Sequence, residues 1–320
     1  MSGFSAFFKQ GGGEAEAASL CKCLASHGLA ADLYGPNASE LETYDFVIYF
    51  SCHPSGEELL ESAFNLGIKF IFWPNFWVGQ DWQPGGDVVR TVDKYCEFAD
   101  RIVFKSETEL TLFRKYFTFN RDKVLRINWF IDSDFLSATS PEQFKELYGL
   151  SDYLLSVGLI EPVKNQLALI NATRLAGKQL VLIGGIRHNN YFEECMKASG
   201  GHVVCIPHQP VNSPILKAAY SGCETYVEVS LDPPGRSALE AAYFDRPLVL
   251  SRSDWANEIF LDAATLVDPT NVEDIQSALE GSTNLGRQDA QWKKIFPVRY
   301  LPDFALAYLY KYLDSTKGRR

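Results

Sequence analysis

Short apolar runs alternate with helix-length amphipathic stretches along the whole 320-residue chain. Runs this short suit strands covered on both faces, and the stretches between them have the length of crossover helices. The alternation predicts an α/β chain built on parallel sheets. In a first round the strand candidates are Phe4–Phe8, Asp45–Phe50, Lys69–Trp73, Arg101–Lys105 and Val124–Asn128. Gly11-Gly12-Gly13 follows the first of these and leads into an Ala/Glu-rich helix up to about His27. Glu57–Asn65 and Thr108–Phe117 have the pattern of further helices.

A second round begins at Tyr153–Val157 and continues with strands Gln179–Ile183, His202–Ile206, Thr225–Val229 and Pro247–Leu250. Helices over 164–176, 190–198, 213–221 and 236–243 separate them. Between the rounds, residues 133–151 hold Ser, Thr, Pro and Gly around one amphipathic turn, Glu142–Tyr148, as a domain boundary does. The expected organisation is a first domain over 1–149, a second over 150–295, and a C-terminal segment over 296–320. In that segment Phe304–Leu313 is apolar and aromatic, with helical spacing suited to docking across the first domain.

Charge narrows the function class. The chain carries 30 Lys and Arg against 40 Asp and Glu, a net charge of −10, without a long basic run. Sequence-independent nucleic-acid binding and electrostatic adhesion to anionic lipid both need a basic surface, and neither fits. Residues 1–150 hold 13 basic and 21 acidic side chains, and residues 151–320 hold 17 and 19. The second half is therefore the easier host for a dianionic diphosphate. The seven cysteines are scattered, and no C-x-x-C pair with nearby histidines completes a zinc site. Free thiols in a reducing cytosol are expected. The opening residues lack a signal-peptide pattern and no apolar run reaches membrane-spanning length, which fits a cytoplasmic protein with at most peripheral membrane contact.

The segment Asp232-Pro-Pro-Gly-Arg-Ser-Ala-Leu-Glu240 carries the most specific chemistry. It follows the candidate strand Thr225–Val229, so it sits where open parallel sheets bind ligands. The helix beginning there offers unpaired N–H groups near Gly235, Arg236 and Ser237, which with the helix dipole suit a phosphate or an oxyanion. Asp232 is placed for sugar hydroxyls, and Glu240 can accept from both hydroxyls of a ribose. The residues alone leave a second reading open, in which Asp232 caps the loop and Glu240 is surface charge. In Tyr153–Asn165, a strand, turn and helix start, Lys164 is either a point charge for a diphosphate or an ordinary solvated lysine.

Taken together, these segments resemble the donor domain of the family 4 retaining glycosyltransferases. In that family a strand leads into Gly-Arg-Leu-x-x-x-Lys-Gly/Asn. Later come Glu-x-Phe-Gly-x-x-x-x-Glu-Ala, a strand ending Pro-Val-Val-x-Ser, a Glu-Ile and a Val-x-Pro. This chain has Gly158…Lys164-Asn165, Asp232…Gly235…Leu239-Glu240-Ala241 and Pro247-Leu248-Val249-Leu250-Ser251, then Glu258-Ile259 and Leu266-Val267-Asp268-Pro269. Landmarks in this order are far more specific than a lone glycine motif. Gly11-Gly12-Gly13-Glu14, Ala99–Ser106 and Val124–Asp132 extend the likeness more weakly into the first half.

The resemblance implies a GT-B fold, two Rossmann-like domains with parallel sheets facing a central cleft. It implies retaining transfer from a UDP- or GDP-sugar to a glycan, lipid-linked or small-molecule acceptor, as in polysaccharide biosynthesis. The nucleotide sugar is then a substrate, and neither cofactor nor metal is required. By the resemblance Lys164 holds the diphosphate, Glu240 the ribose and Asp232 the donor sugar. Gly158, Pro234 and the amides near Gly235, Arg236 and Ser237 belong to the same donor site. Pro207 and His208 line the base pocket, and Gly12 and Gly13 approach the diphosphate from the other domain.

Three departures accompany this likeness. Leu159 stands where the family has a phosphate-binding arginine, with Arg187 and Arg236 as candidates to replace it. Asp232 stands where the family has a glutamate, which shortens its reach. The usual acceptor-domain histidine is not evident, which leaves Asn75 and His53 as catalytic candidates beside Asp232 and Lys164. The cluster Phe72-Trp73-Pro74-Asn75-Phe76-Trp77, with Trp82, offers faces for acceptor sugar rings or packs the core. Two alternatives share the architecture: a non-catalytic sugar-nucleotide or glycan-binding protein on a degenerate transferase fold, and a sugar-nucleotide epimerase.

Overall fold

A computed structural model describes residues 12–35, 37–78, 82–137, 139–233, 235–282 and 299–316. The expected strand Phe4–Phe8 and Gly11 lie outside the described residues. The chain divides into two compact units, residues 1–130 with 302–320, and residues 131–301.

The first unit is a parallel sheet in sequential order: β1 (Phe46–Phe50), β2 (Lys69–Trp73), β3 (Arg101–Phe104) and β4 (Val124–Arg126). Its helices are α1 (Gly12–Ser26), α2 (Glu57–Asn65), α3 (Gly86–Phe98) and α4 (Glu107–Phe113). Successive strand side chains point to opposite faces, so β2 feeds two cores. Phe70 and Phe72 pack with Leu60 and Ala63 of α2 and Val92 and Tyr95 of α3. Ile71 and Trp73 pack with Leu20 and Leu24 of α1, with Leu309 and Leu313 of the C-terminal helix Ala307–Thr316, and with Leu306 between that helix and Pro302–Ala305. Both faces are covered, which is why β2 is an unbroken apolar run rather than an alternating one.

Two local expectations change. α3 has no counterpart among them: it opens at Gly85-Gly86, residues typical of a turn, although Val88, Val89, Val92, Tyr95 and Cys96 keep helical spacing along one face. The helix expected over Thr108–Phe117 ends at Phe113. The chain turns there, and Phe113 and Phe117 both enter the core with ring centroids 4.6 Å apart.

The second unit carries β5 (Leu154–Val157), β6 (Leu180–Ile183), β7 (Val203–Ile206), β8 (Thr225–Glu228), β9 (Leu248–Ser251) and β10 (Ala264–Val267). All pair in parallel, in the order β10-β9-β8-β5-β6-β7. Strand order reverses between β5 and β8, as in a Rossmann sheet, and the carboxyl ends of those two strands form its switch point. The helices are α5 (Glu142–Tyr148), α6 (Gln166–Leu175), α7 (Asn189–Ala198), α8 (Pro214–Gly222), α9 (Arg236–Tyr243), α10 (Asp254–Phe260) and α11 (Val272–Ser282). Leu154, Leu180, Leu182, Val227 and Val249 pack against Leu169 and Ile170 of α6, Cys195 of α7, and Ile275 and Leu279 of α11.

One glycine sets how closely the strand ends meet. A Cβ on Gly184 would lie 1.7 Å from the Gly158 carbonyl oxygen, so no side chain fits there. The helix expected from residue 164 starts at Gln166, because Pro162–Lys164 forms a 3₁₀ turn and Asn165 turns left-handed at φ 57°. Among the described residues no helix is long and apolar enough to cross a membrane.

Candidate functional site

Lys164 and Asp232 meet at the switch point, on the loops that follow β5 and β8. Asn165 makes the meeting possible. Asparagine tolerates the left-handed conformation that most residues avoid, which gives a reason for Asn or Gly after this lysine. Its Nδ2 donates to the Val229 carbonyl at 3.0 Å and to the Pro269 carbonyl at 2.7 Å, pinning the loops after β8 and β10. So fixed, Lys164 Nζ donates to both Asp232 carboxylate oxygens, at 2.9 and 2.8 Å. Burial works against the ammonium charge, but Glu228, Asp232 and Glu161 outweigh it and raise the Lys164 pKa above the ordinary value. Lys164 stays a cation.

Behind this pair lies a carboxylate absent from the sequence-based candidates. Glu228 ends β8 and is buried. It accepts from the Tyr226 hydroxyl at 2.8 Å, the Gly235 amide at 3.1 Å and the Ser237 hydroxyl at 3.3 Å. The Gly235 amide, expected to be an open donor, is therefore engaged from within the protein. Burial raises the Glu228 pKa, opposed by Lys164, the Tyr226 hydroxyl and the Gly235 amide. The signal was present in the sequence: Val227-Glu228-Val229 puts a charge inside an apolar run, and charges are rarely buried without a reason.

Glu240, one turn into α9, is buried rather than surface charge. It accepts from the Tyr220 hydroxyl at 2.9 Å and from Arg236 Nε at 3.1 Å. Burial raises its pKa, with Arg236 and then the Tyr220 hydroxyl opposing the rise. Both candidates to replace the arginine missing at Leu159 hold carboxylates: Arg236 holds Glu240, and the exposed Arg187 holds Glu161 at 3.0 Å. Gly158 is exposed at the end of β5. Pro207 and His208 are exposed after β7. A Cβ on Gly185 would come within 3.9 Å of the His208 Cβ, so the loops after β6 and β7 abut. Pro234 lies outside the described residues.

The other candidates fall in the first unit. Gly12 and Gly13 open α1, and a Cβ on Gly13 would lie 3.7 Å from Asn75 Nδ2. Asn75 follows β2 at φ 47°, and its Oδ1 accepts from Lys105 Nζ at 2.7 Å. Lys105 is buried, paired with Glu16 at 2.9 Å, and lies 3.5 Å from the centroid of the Trp129 ring. Nothing in residue spacing announces that pair, since Lys105 and Glu16 are 89 positions apart. His53 Nδ1 accepts the Ser55 amide at 3.1 Å and caps the turn Pro54–Gly56. Its carbonyl accepts the hydroxyls of Tyr49 and Tyr95, both at 2.9 Å. In the aromatic cluster Phe72, Trp73 and Phe76 are core, and Trp77 and Trp82 are half-buried. No group of three or more His, Cys, Asp or Glu is placed to hold a metal ion among the described residues.

Residues 141–295 match the family model of glycosyl transferases group 1. The fold is GT-B. HepE of Anabaena, solved with UDP and glucose, matches with a TM-score of 0.73 at 15% identity, over 93% of this chain and 89% of that one. A glycosyltransferase from Rickettsia africae matches with a TM-score of 0.74 at 13% identity, over 97% and 96%. The sucrose-phosphate synthase of Thermosynechococcus elongatus matches with a TM-score of 0.69 at 14% identity, over 86% and 75%. Identities this low are a likeness of fold. Comparison with curated protein sequences finds no match.

Lys164, Glu228, Asp232 and Glu240 all lie within the segment that matches the group 1 model. It offers a partly exposed cation, the amides beyond Gly235 at the start of α9, and a buried carboxylate with oriented oxygens. These are parts for holding an anion and a diol side by side.

Proposed function

We propose that this protein is a retaining, metal-independent glycosyltransferase that takes its sugar from a UDP- or GDP-sugar. The observation that carries the reading is the Lys164–Asp232 pair, 2.8 Å long, at the switch point of a group 1 glycosyl transferase unit. In this reading the diphosphate lies on Lys164 and the amides of α9, with part of its charge displacing Asp232 from the ammonium. Asp232, released, accepts hydrogen bonds from the donor sugar. Glu240 takes the ribose hydroxyls, and Pro207 and His208 flank the base. The developing charge on the departing diphosphate is stabilised by the same lysine and amides, an oxyanion-type effect. The acceptor, a glycan, lipid-linked or small-molecule hydroxyl, binds the first unit. The solved complex of HepE with UDP-glucose makes UDP-sugars the first donors to try. None of the seven cysteines, all among the described residues, is joined in a disulfide, which suits a cytoplasmic protein.

A thermal-shift and turnover screen with UDP-, GDP-, ADP- and CDP-sugars tests the reading. Stabilisation by one nucleotide class together with release of its nucleoside diphosphate is expected, and no shift with any of them sinks the donor site. Leu159 and the engagement of Arg187 and Arg236 by carboxylates support a second reading, a sugar-nucleotide-binding protein without turnover. Tight binding with no diphosphate released, whatever the acceptor, selects it.

A further inference from the structure

The carboxylates around the switch point are matched to cations, with one exception. Glu161 has Arg187, Asp232 has Lys164 and Glu240 has Arg236. Glu228, among the described residues, is hydrogen-bonded only to neutral groups: the hydroxyls of Tyr226, Ser230 and Ser237 and the amide of Gly235. The charged groups that act on it are Lys164 from the loop after β5 and Asp232 from the loop after β8, with the Arg236–Glu240 pair on the neighbouring α9. Tyr226 on its own strand and Tyr220 on α8 complete the set. Lys164 is already answered by Asp232, so this corner holds one negative charge in excess.

A diphosphate on Lys164 and the start of α9 brings two more negative charges to the same corner. Like charges crowded into a poorly solvated space are not all kept ionised, and the group most disfavoured by burial protonates first. Asp232 sits against an ammonium and has solvent on its other side. Glu228 has neither advantage. Its hydroxyl partners can also reverse roles, since a Tyr or Ser hydroxyl accepts as readily as it donates. A protonated Glu228 still accepts the Gly235 amide through its carbonyl oxygen, so no buried group loses its partner.

We propose that Glu228 takes up a proton as the diphosphate of a sugar nucleotide binds, so that donor affinity falls as pH rises. The inference rests on the donor-site reading above. Neutralising Glu228 removes the excess charge that would otherwise repel the donor, and lets the diphosphate approach an α9 start that the free protein keeps anionic.

Calorimetric titration of UDP-glucose and GDP-mannose between pH 5.5 and 8.5, in paired buffers of different ionisation heat, tests it. The diphosphate of a sugar nucleotide is a diester that does not titrate in this range, so any protons exchanged belong to the protein. Wild-type protein should take up as much as about one proton per donor, and its affinity should fall by up to about tenfold per pH unit within the responsive window. The matching nucleoside, which lacks the diphosphate, should bind without uptake. Glu228→Gln keeps the shape and removes the charge. It should bind the donor about tenfold more tightly at pH 8.5 and show no pH dependence.

Absence of proton uptake by wild-type protein at every pH overturns the proposal, and that measurement needs no variant to fold. A pH slope that survives in Glu228→Gln also overturns it, and assigns the proton to another group. Lys164→Ala separates the proposal from its foundation. Equal losses for donor and nucleoside, or no binding of either sugar nucleotide to wild-type protein, bring down the donor-site reading and this inference with it. A loss confined to the donor, without proton uptake in wild type, brings down this inference alone.

Discussion

Each unit sets a lysine against a carboxylate just past the carboxyl ends of its strands. Lys105 follows β3 and meets Glu16 at 2.9 Å, and Lys164 lies past β5 and meets Asp232 at 2.8 Å. The lengths are alike, but the surroundings are not. The first pair has side-chain exposures of 0% and 4%, the second of 21% and 36%. Lys105 donates to both Glu16 oxygens and to Asn75, which uses the donors of an ammonium, and it lies against Trp129 as well. Lys164 donates to Asp232 alone among the described residues and keeps a side toward solvent. Distance therefore does not separate a structural pair from the pair proposed to bind the donor. Spare donor capacity and access do.

The largest expected effect comes from breaking the saturated pair. Lys105→Met leaves Glu16 buried without its cation and Asn75 without its donor, a loss of about 3–5 kcal/mol for a buried pair opened on one side. Hydrogen exchange resolved by peptide should show β3 and α1 opening while β8 and α9 keep their protection. Protection unchanged in β3 would mean that Glu16 finds water, and that the burial in the first unit is not binding on it.

Lys164→Ala is the opposite case. A partly exposed pair is worth about 0–1 kcal/mol, so the thermal midpoint should barely move. Losing a charge-assisted contact to a diphosphate should cost affinity roughly 10–100-fold for a sugar nucleotide, and much less for the nucleoside. A variant that unfolds as readily as Lys105→Met would erase the distinction between the two lysines.

The pH dependence of stability sharpens the comparison in a gentler way. Burial raises the folded-state pKa of Glu109 in the first unit and of Glu228 and Glu240 in the second. An unfolded glutamate titrates near about 4.3, so above that value the folded chain holds protons that the unfolded chain has lost. Stability from these groups is fully present below the unfolded pKa and falls as pH rises through the folded values. Protection in β8 and α9, next to two such groups, should decline more steeply with rising pH than protection in α4. Glu240→Gln should flatten the decline in the second unit, and a slope unchanged by it would assign the effect to other residues.

Much of this was legible where local pattern decides. Lys69–Trp73, Glu57–Asn65, Glu142–Tyr148 and the helix over 236–243 form as their periodicity predicts, because short buried strands and amphipathic helices are written in neighbouring residues. Lys164 and Asp232 were expected in one donor site through the family likeness, but their contact with each other was not. What stayed hidden depends on distant partners. Lys105 and Glu16 meet only because α1 packs on the sheet, and no periodicity encodes that. Glu228 was visible as a charge between valines, but its hold on Gly235 depends on how the loop after β8 folds back. The apolar stretch over 304–313 is split at Leu306, which lies between two helices and is buried in the core that also holds Ile71, Trp73 and Leu309.

The smallest effect concerns His53, which lies in the first unit like Lys105 but is exposed, where Lys164 is half-buried. Its ring accepts the Ser55 amide as a side-chain cap. His53→Ala should cost roughly 0.5–1 kcal/mol in the first unit, the ordinary worth of a cap. His53→Asn places its Oδ1 acceptor at the same number of bonds from the backbone as the imidazole Nδ1 and should recover most of that loss, since asparagine is among the best capping residues. Stability measured by urea denaturation and donor turnover then answer different questions. If the asparagine variant recovers stability and turnover together, the imidazole serves the turn. If it recovers stability while turnover stays low, the ring itself acts on the substrate, and an exposed side chain in the first unit joins Lys164 on the working side of the comparison.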